Sequence, residues 1–157
     1  MAMAKEKVTL TLDADSLAEL RSPLEGRPLE EALRTRAAEL APEGRPSIRI
    51  TGTAPRLPPL VAAHVYRIGS EAITNALRHA DATTIEVAID SANGRLRLHV
   101  QDDGRGLPAE RRSGATGLNA MESRAATIGG RLEVSAVAAG GTAITLDVPL
   151  SEAGGTS

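Results

Sequence analysis

The chain has no cysteine, phenylalanine or tryptophan, and Tyr66 is its only aromatic residue. Without cysteine it forms neither disulfides nor thiolate metal sites, so a reducing, cytoplasmic setting is permitted. Without aromatic platforms it cannot stack the bases of single-stranded nucleic acid. Lysine occurs only at Lys5 and Lys7. No Gly-Lys-Ser/Thr sequence therefore exists, and a P-loop nucleotide site is excluded.

Long apolar runs and an excess of one charge are also missing. No run approaches the roughly 20 residues of a membrane span, and no signal-peptide pattern opens the chain. The net charge of −2 and a pI near 5.9 give no global basic field, so we expect no nucleic-acid partner. The length of 157 residues suits one domain with a real core.

Hydrophobic periodicity predicts a definite order of helices and strands. The predicted elements are a helix over 29–40, a strand over 47–51, a long helix over 60–80, strands over 84–90 and 95–102, a helix over 118–128, and strands over 131–137 and 142–150. Asn93-Gly94 and Gly140-Gly141 are typical hairpin turns. Since hairpins make antiparallel neighbours and helices supply a second layer, the order predicts an α+β two-layer sandwich.

The ends of the chain are predicted to lie outside the main domain. We expect residues 1–28 to be an N-terminal remnant or linker, in which 8–12 (VTLTL) alternate like a short extra strand. The domain itself is expected over 29–150, followed by a disordered tail over 151–157.

The stretch VQDDGRG, residues 100–106, has two adjacent carboxylates followed by glycines. Glycines stand where a calcium loop needs oxygen ligands, and the third glycine of a dinucleotide fingerprint is absent. A plain turn remains an alternative. Strand alternation puts Asp102 on the apolar side, whereas Asp103 faces the polar side and is predicted to be replaceable. A carboxylate that faces a core needs hydrogen-bond donors, so Asp102 is the candidate functional residue.

Polar residues form a stripe along the predicted long helix. Glu71, Asn75 and His79 are four residues apart, and Arg67 and Arg78 flank them. One interpretation is a solvated helix face. The other is a magnesium–phosphate site, because an amide oxygen suits a hard cation and basic groups balance phosphate charge.

Two glycine-containing segments complete the candidate set. Residues 114–118 (GATGL) open a predicted helix, whose N-terminus is either an anion site or an ordinary cap. Residues 140–142 (GGT) precede the last strand and are either part of a site or a plain hairpin turn.

These four segments, in this order, resemble the ATP-binding catalytic domain of two-component sensor histidine kinases, in the Bergerat (GHKL) superfamily. Residues 71–80 (EAITNALRHA) resemble its N box, 102–106 (DDGRG) and 114–118 its two glycine boxes, and 141–142 its closing Gly-Thr. The sequences of these segments are most similar to those of the nitrate-sensor-like (NarX/DesK-type) subfamily. The resemblance implies a Bergerat ATP-binding fold, a mixed sheet of about five strands with three helices on one face.

The resemblance also implies an adenine-binding corner. Asp102 would accept a hydrogen bond from the adenine amino group, and Thr142 would support it. Gly104 and Gly106 would allow close approach and turn the chain toward a lid.

The phosphates would lie on the other side of the implied site. Asn75 would ligate Mg²⁺, Arg78 and His79 would contact phosphates or ribose, and Glu71 would be the catalytic carboxylate. Backbone N–H groups around Gly114 and Gly117 would cradle the phosphates. Thr116 and Leu118 belong to the same glycine box and are counted with the ATP-binding residues.

Two departures from the family pattern qualify these expectations. Ala115 stands where the family commonly has glycine. None of His64, His79 and His99 is followed by an acidic residue, as the family's phosphoacceptor histidine is. The implied function is therefore binding of Mg-ATP and transfer of its γ-phosphoryl group to a histidine on a separate dimerisation domain of the parent protein.

That function implies further expectations about partners and location. A response regulator would be an indirect partner, and the isolated domain would be monomeric. The domain would be cytoplasmic, and segments outside this chain could anchor the parent protein in a membrane. The alternatives are an anti-sigma-factor-type serine kinase and a non-catalytic ATP-binding module.

Overall fold

A computed structural model describes Leu24, residues 26–105 and residues 116–150. The predicted strand at 8–12, the tail at 151–157, Gly106 and Gly114 lie outside the described residues. The helices and strands follow in chain order: α1 Leu29–Leu40, β1 Ser47–Gly52, α2 Pro59–Asn75 continued by a π-helical turn Ala76–Ala80, β2 Thr84–Ala92, β3 Arg95–Asp102, α3 Thr116–Thr127, β4 Arg131–Ala136 and β5 Thr142–Pro149.

The strands form one mixed five-stranded sheet in the order β1-β2-β3-β5-β4. β1 pairs with β2 in parallel, and the remaining pairs are antiparallel. The β2–β3 hairpin turns at Asn93 and Gly94, both with positive φ, as a two-residue turn requires. The predicted two-layer α+β sandwich is therefore confirmed.

One face of the sheet carries the core. Every second residue of β3 is buried (Leu96, Leu98 and Val100), and the residues between them face the opposite, more exposed side. The buried residues of β2 alternate in the same phase, and those of β5 do so from Ile144 onward. The three helices cover this face, with α2 in the middle against α1 and α3. Burial of these aliphatic side chains supplies the main driving force for folding.

The central helix α2 begins with Pro58 as N-cap and Pro59 at its first position, where a proline costs no backbone hydrogen bond. Gly69 lies against Leu33 and Leu98, so the helix sits close to both α1 and the sheet. The predicted long helix is confirmed up to Asn75. Its last turn, however, has π geometry and ends at Asp81, which has a φ of 56°.

Candidate functional site

Asp102 is the last residue of β3 and one of the few buried polar residues of the described chain. It is only 7 % exposed, as strand alternation predicts. Its strand register places it beside Ile85 of β2. A carboxylate therefore ends a row of aliphatic side chains at one edge of the core.

Two backbone donors hold the Asp102 carboxylate. The N–H of Gly104 donates to Oδ1 at 2.9 Å, and the N–H of Thr142 donates to the same oxygen at 3.4 Å. Within the described chain, Oδ2 accepts no hydrogen bond. Burial raises the pKa of Asp102, the two backbone hydrogen bonds lower it, and the charge of Asp103 raises it further. The net rise shows that burial outweighs the donors.

The turn between β4 and β5 packs directly against Asp102. Gly140 and Gly141 have φ values of 115° and 109°, which side chains rarely tolerate. A Cβ on Gly141 would overlap the backbone carbonyl of Asp102 and lie 3.1 Å from its Oδ1. Among the described residues, a Cβ on Gly140 would meet only the carbonyl oxygen of Gly104, at 3.6 Å. The glycine at 141 is thus required for the close approach that delivers the Thr142 N–H.

Asp103 faces outward, as predicted, and its carboxylate accepts three hydrogen bonds. Its Oδ1 accepts hydrogen bonds from the N–H groups of Thr83 (2.9 Å) and Thr84 (3.0 Å). Its Oδ2 accepts from the Thr83 hydroxyl at 2.6 Å. The Thr83 hydroxyl is the main cause that lowers the pKa of Asp103, followed by the backbone donors. These contacts could not be predicted from the sequence, because they depend on the β2–β3 register.

The polar stripe of α2 lies in the last turns of that helix. Glu71 and Asn75 are one helical turn apart and both half-buried. Neither side chain makes a hydrogen bond or an ion pair with another described residue. Thr74, next to them, is satisfied by the Ser70 carbonyl at 2.9 Å. Half-buried polar groups without protein partners are suited to a polar ligand.

The other predicted site residues are distributed around these two elements. Arg78 is exposed on the π-helical turn, and the backbone of His79 follows it. The described part of α3 starts with the backbones of Thr116 and Gly117. Leu118 is buried in the core, where it anchors α3.

The described residues could hold a magnesium ion only together with a ligand that carries phosphate groups. Among the described residues, no three histidine or acidic side chains cluster as a metal site. Asn75 offers one amide oxygen, and magnesium usually takes few protein ligands when it binds with a nucleotide. The described part of the chain contains no helix that is long and apolar enough to cross a bilayer.

A mixed sheet covered by three helices, with a buried carboxylate at the end of a central strand, is an arrangement similar to that of solved histidine kinase domains. The chain belongs to the family described as Histidine kinase-, DNA gyrase B-, and HSP90-like ATPase, whose model matches residues 61–152. It is an ATP-binding catalytic domain of the kind that sensor histidine kinases contain.

Two curated relatives are bacterial sensor proteins. The chain is 40 % identical over 91 residues to the sensor histidine kinase LiaS of Bacillus subtilis, covering 57 % of this chain and 25 % of the relative. It is 33 % identical over 98 residues to the sensor protein VraS of Staphylococcus aureus, covering 62 % and 28 %. The chain thus matches only about a quarter of the length of these relatives.

A solved structure gives the same picture. The histidine kinase domain of the blue-light activated histidine kinase from Erythrobacter litoralis superposes with a TM-score of 0.68 at 27 % identity. The match covers 83 % of this chain and 64 % of that domain. The predicted Bergerat-type fold, with three helices on one face of the sheet, is therefore confirmed.

Proposed function

We propose that this domain binds Mg-ATP in the cytoplasm and donates the γ-phosphoryl group to a histidine on a separate dimerisation domain, in two-component signalling. The observation that carries the proposal is the Asp102 carboxylate, which is buried, fixed through Oδ1 by Gly104 and Thr142, and has Oδ2 available. A fixed acceptor at the end of an apolar row suits the amino group of adenine.

The phosphate side of the proposed site is the end of α2. Asn75 supplies an oxygen for Mg²⁺, and Arg78 lies on the following turn, where a guanidinium can pair with phosphate. When bound, the ion neutralises phosphate charge. His79, Gly114, Thr116 and Gly117 are assigned to the same half of the site, and Glu71 is assigned as the catalytic carboxylate.

We assign the domain more narrowly to the nitrate-sensor-like (NarX/DesK-type) subfamily. Three segments support this assignment: EAITNALRHA (71–80), DDGRGLP (102–108) and GLNAMESRAATIGG (117–130). That subfamily lacks the phenylalanine-bearing box of other members, in agreement with a chain that has no phenylalanine.

Phosphoryl transfer to a separately supplied acceptor tests the proposed reaction. We expect the 157-residue chain, mixed with γ-labelled Mg-ATP and a histidine-bearing dimerisation domain of this family, to label that domain. The label should be lost in acid and retained in alkali, as phosphohistidine is. An Asn75→Ala variant should label the acceptor much more slowly, because it lacks the proposed magnesium ligand.

The alternatives give different results in the same assay. An acid-stable label on serine of a partner protein would identify a serine kinase. ATP binding without transfer to any dimerisation domain tested would identify a non-catalytic module. Either result would contradict the proposed histidine kinase activity.

A further inference from the structure

Asp103 fastens the loop after the central helix to the end of β3. Three donors converge on its carboxylate: the two N–H groups of Thr83 and Thr84 and the Thr83 hydroxyl. Its own N–H donates to the Thr84 carbonyl at 3.2 Å. Asp103 thus exchanges hydrogen bonds with β2 through both its backbone and its side chain. We call this set of contacts the Asp103 clamp.

The clamp joins the two halves of the candidate site. Residues 81–83 alone connect the π-helical turn, which carries Arg78, to β2. On the other side, Asp103 follows Asp102 directly in the chain. The Thr83 carbonyl also accepts from the Ser47 N–H at 3.0 Å, so the same loop is tied to β1. Thr83, which Asp103 holds, is therefore only three residues from the end of the π-helical turn at Ala80.

We propose that Asp103 is a positioning residue, which holds the phosphate-side residues of the π-helical turn at a fixed distance from the adenine-side Asp102. The inference rests on the proposed ATP site and adds a residue to it. Asp103 itself does not touch the nucleotide. It acts by keeping the connection at residues 81–83 ordered, so that binding the phosphates costs less conformational entropy.

The direction of the change in ATP affinity distinguishes this positioning role from a direct electrostatic effect of the Asp103 charge. A carboxylate near bound phosphates repels them, so removing its charge alone strengthens ATP binding. Loss of the clamp has the opposite effect, because the π-helical turn must then be ordered on binding. A purely structural role would weaken every ligand alike.

The test compares Mg-ATP with adenosine, which contacts only the adenine side. Affinities are measured by calorimetry and competition for the full chain and its Asp103→Ala and Asp103→Asn variants. Asp90→Ala is the matched control, since Asp90 is an exposed aspartate of β2. We expect Asp103→Ala to lower ATP affinity about fivefold to tenfold, the worth of roughly one net hydrogen bond, and to leave adenosine affinity unchanged. Asp103→Asn should recover most of the loss, because its amide oxygen still accepts the two backbone N–H groups.

Amide hydrogen exchange gives a readout that is independent of nucleotide. The N–H groups of Thr83 and Thr84 should be protected in the parent chain and in Asp103→Asn, and exchange faster in Asp103→Ala. If Asp103→Ala fails to fold, Thr83→Val, which removes only the hydroxyl donor, should show a smaller loss of ATP affinity with adenosine unchanged.

Unchanged or increased ATP affinity in Asp103→Ala overturns the positioning role and leaves the proposed function intact, provided that the parent chain binds ATP. An equal loss for ATP and adenosine overturns it as well. A parent chain that binds neither ligand overturns both the positioning role and the proposed function.

Discussion

Replacing Asp102 with asparagine is expected to weaken Mg-ATP binding by roughly tenfold to a hundredfold, the worth of a hydrogen bond to a charged acceptor. The asparagine oxygen can still accept from the Gly104 and Thr142 N–H groups, so the local backbone is retained. What then faces the adenine amino group is an amide N–H₂, which is a donor and cannot accept.

The same substitution is expected to leave the unliganded fold at least as stable. Burial raises the pKa of Asp102, so its ionised form is disfavoured in the folded state. A group with a raised folded pKa costs stability above that pKa, and the cost disappears as the pH falls through it. Asparagine removes this cost at neutral pH. The Asp102 carboxylate thus lowers the stability of the unliganded fold while it places a negative charge at the adenine side of the proposed site.

Calorimetry with Mg-ATP and thermal unfolding without nucleotide measure the two effects together. Asp147→Asn is the control, because Asp147 pairs with Arg95 and Arg97 on the opposite face of the sheet. This control should keep normal ATP affinity. An Asp102→Asn variant with undiminished ATP affinity would rule out the adenine assignment.

Gly141→Ala is expected to destabilise the fold strongly and to abolish nucleotide binding at ordinary concentrations. The new Cβ would overlap the Asp102 backbone carbonyl, and the φ of 109° is itself unfavourable for alanine. Backbone strain costs about 1–3 kcal/mol, and forcing an atom into a filled space costs about 1–3 kcal/mol more. Relief of the overlap requires β5 to move away from β3, which withdraws the Thr142 N–H from the carboxylate.

Gly140→Ala provides the matched comparison for this prediction. Gly140 has a similar φ of 115°, but its added Cβ would meet no atom of the described segments closer than 3.6 Å. We therefore expect Gly140→Ala to show the strain cost alone, with most of the nucleotide affinity kept. Free energies of unfolding from urea titration measure the difference. Equal losses of stability in the two variants would show that the contact with Asp102 is not what requires glycine at 141.

The sequence predicted the fold well because its hydrophobic patterns are regular. Leu96, Leu98 and Val100 alternate without a break, so the inward side of β3, and with it Asp102, followed from parity alone. Asn93-Gly94 fixed the position of one hairpin. The family resemblance implied a mixed sheet, but the parallel pairing of β1 with β2 was not predicted, because local sequence patterns do not encode which strands meet.

The details of the site were less accessible to sequence reasoning. The overlap that makes glycine necessary at 141 depends on the packing of the β4–β5 turn on β3, two segments about forty residues apart. The Asp103 clamp likewise requires the register that brings Thr83 and Thr84 to the end of β3. The π-helical turn after Asn75 was not predicted either, because a single extra residue in a helical turn leaves the apolar periodicity nearly unchanged.

Discrimination between ATP and GTP tests the central claim, that a carboxylate reads the base, most directly. Guanine presents a carbonyl oxygen where adenine presents an amino group, so the Asp102 carboxylate would face an acceptor instead of a donor. In a competition titration with Mg²⁺, we expect ATP to bind at one site per chain, and GTP to bind at least about a hundredfold more weakly. Comparable affinity for the two nucleotides would contradict the assignment of Asp102 as the adenine-reading residue.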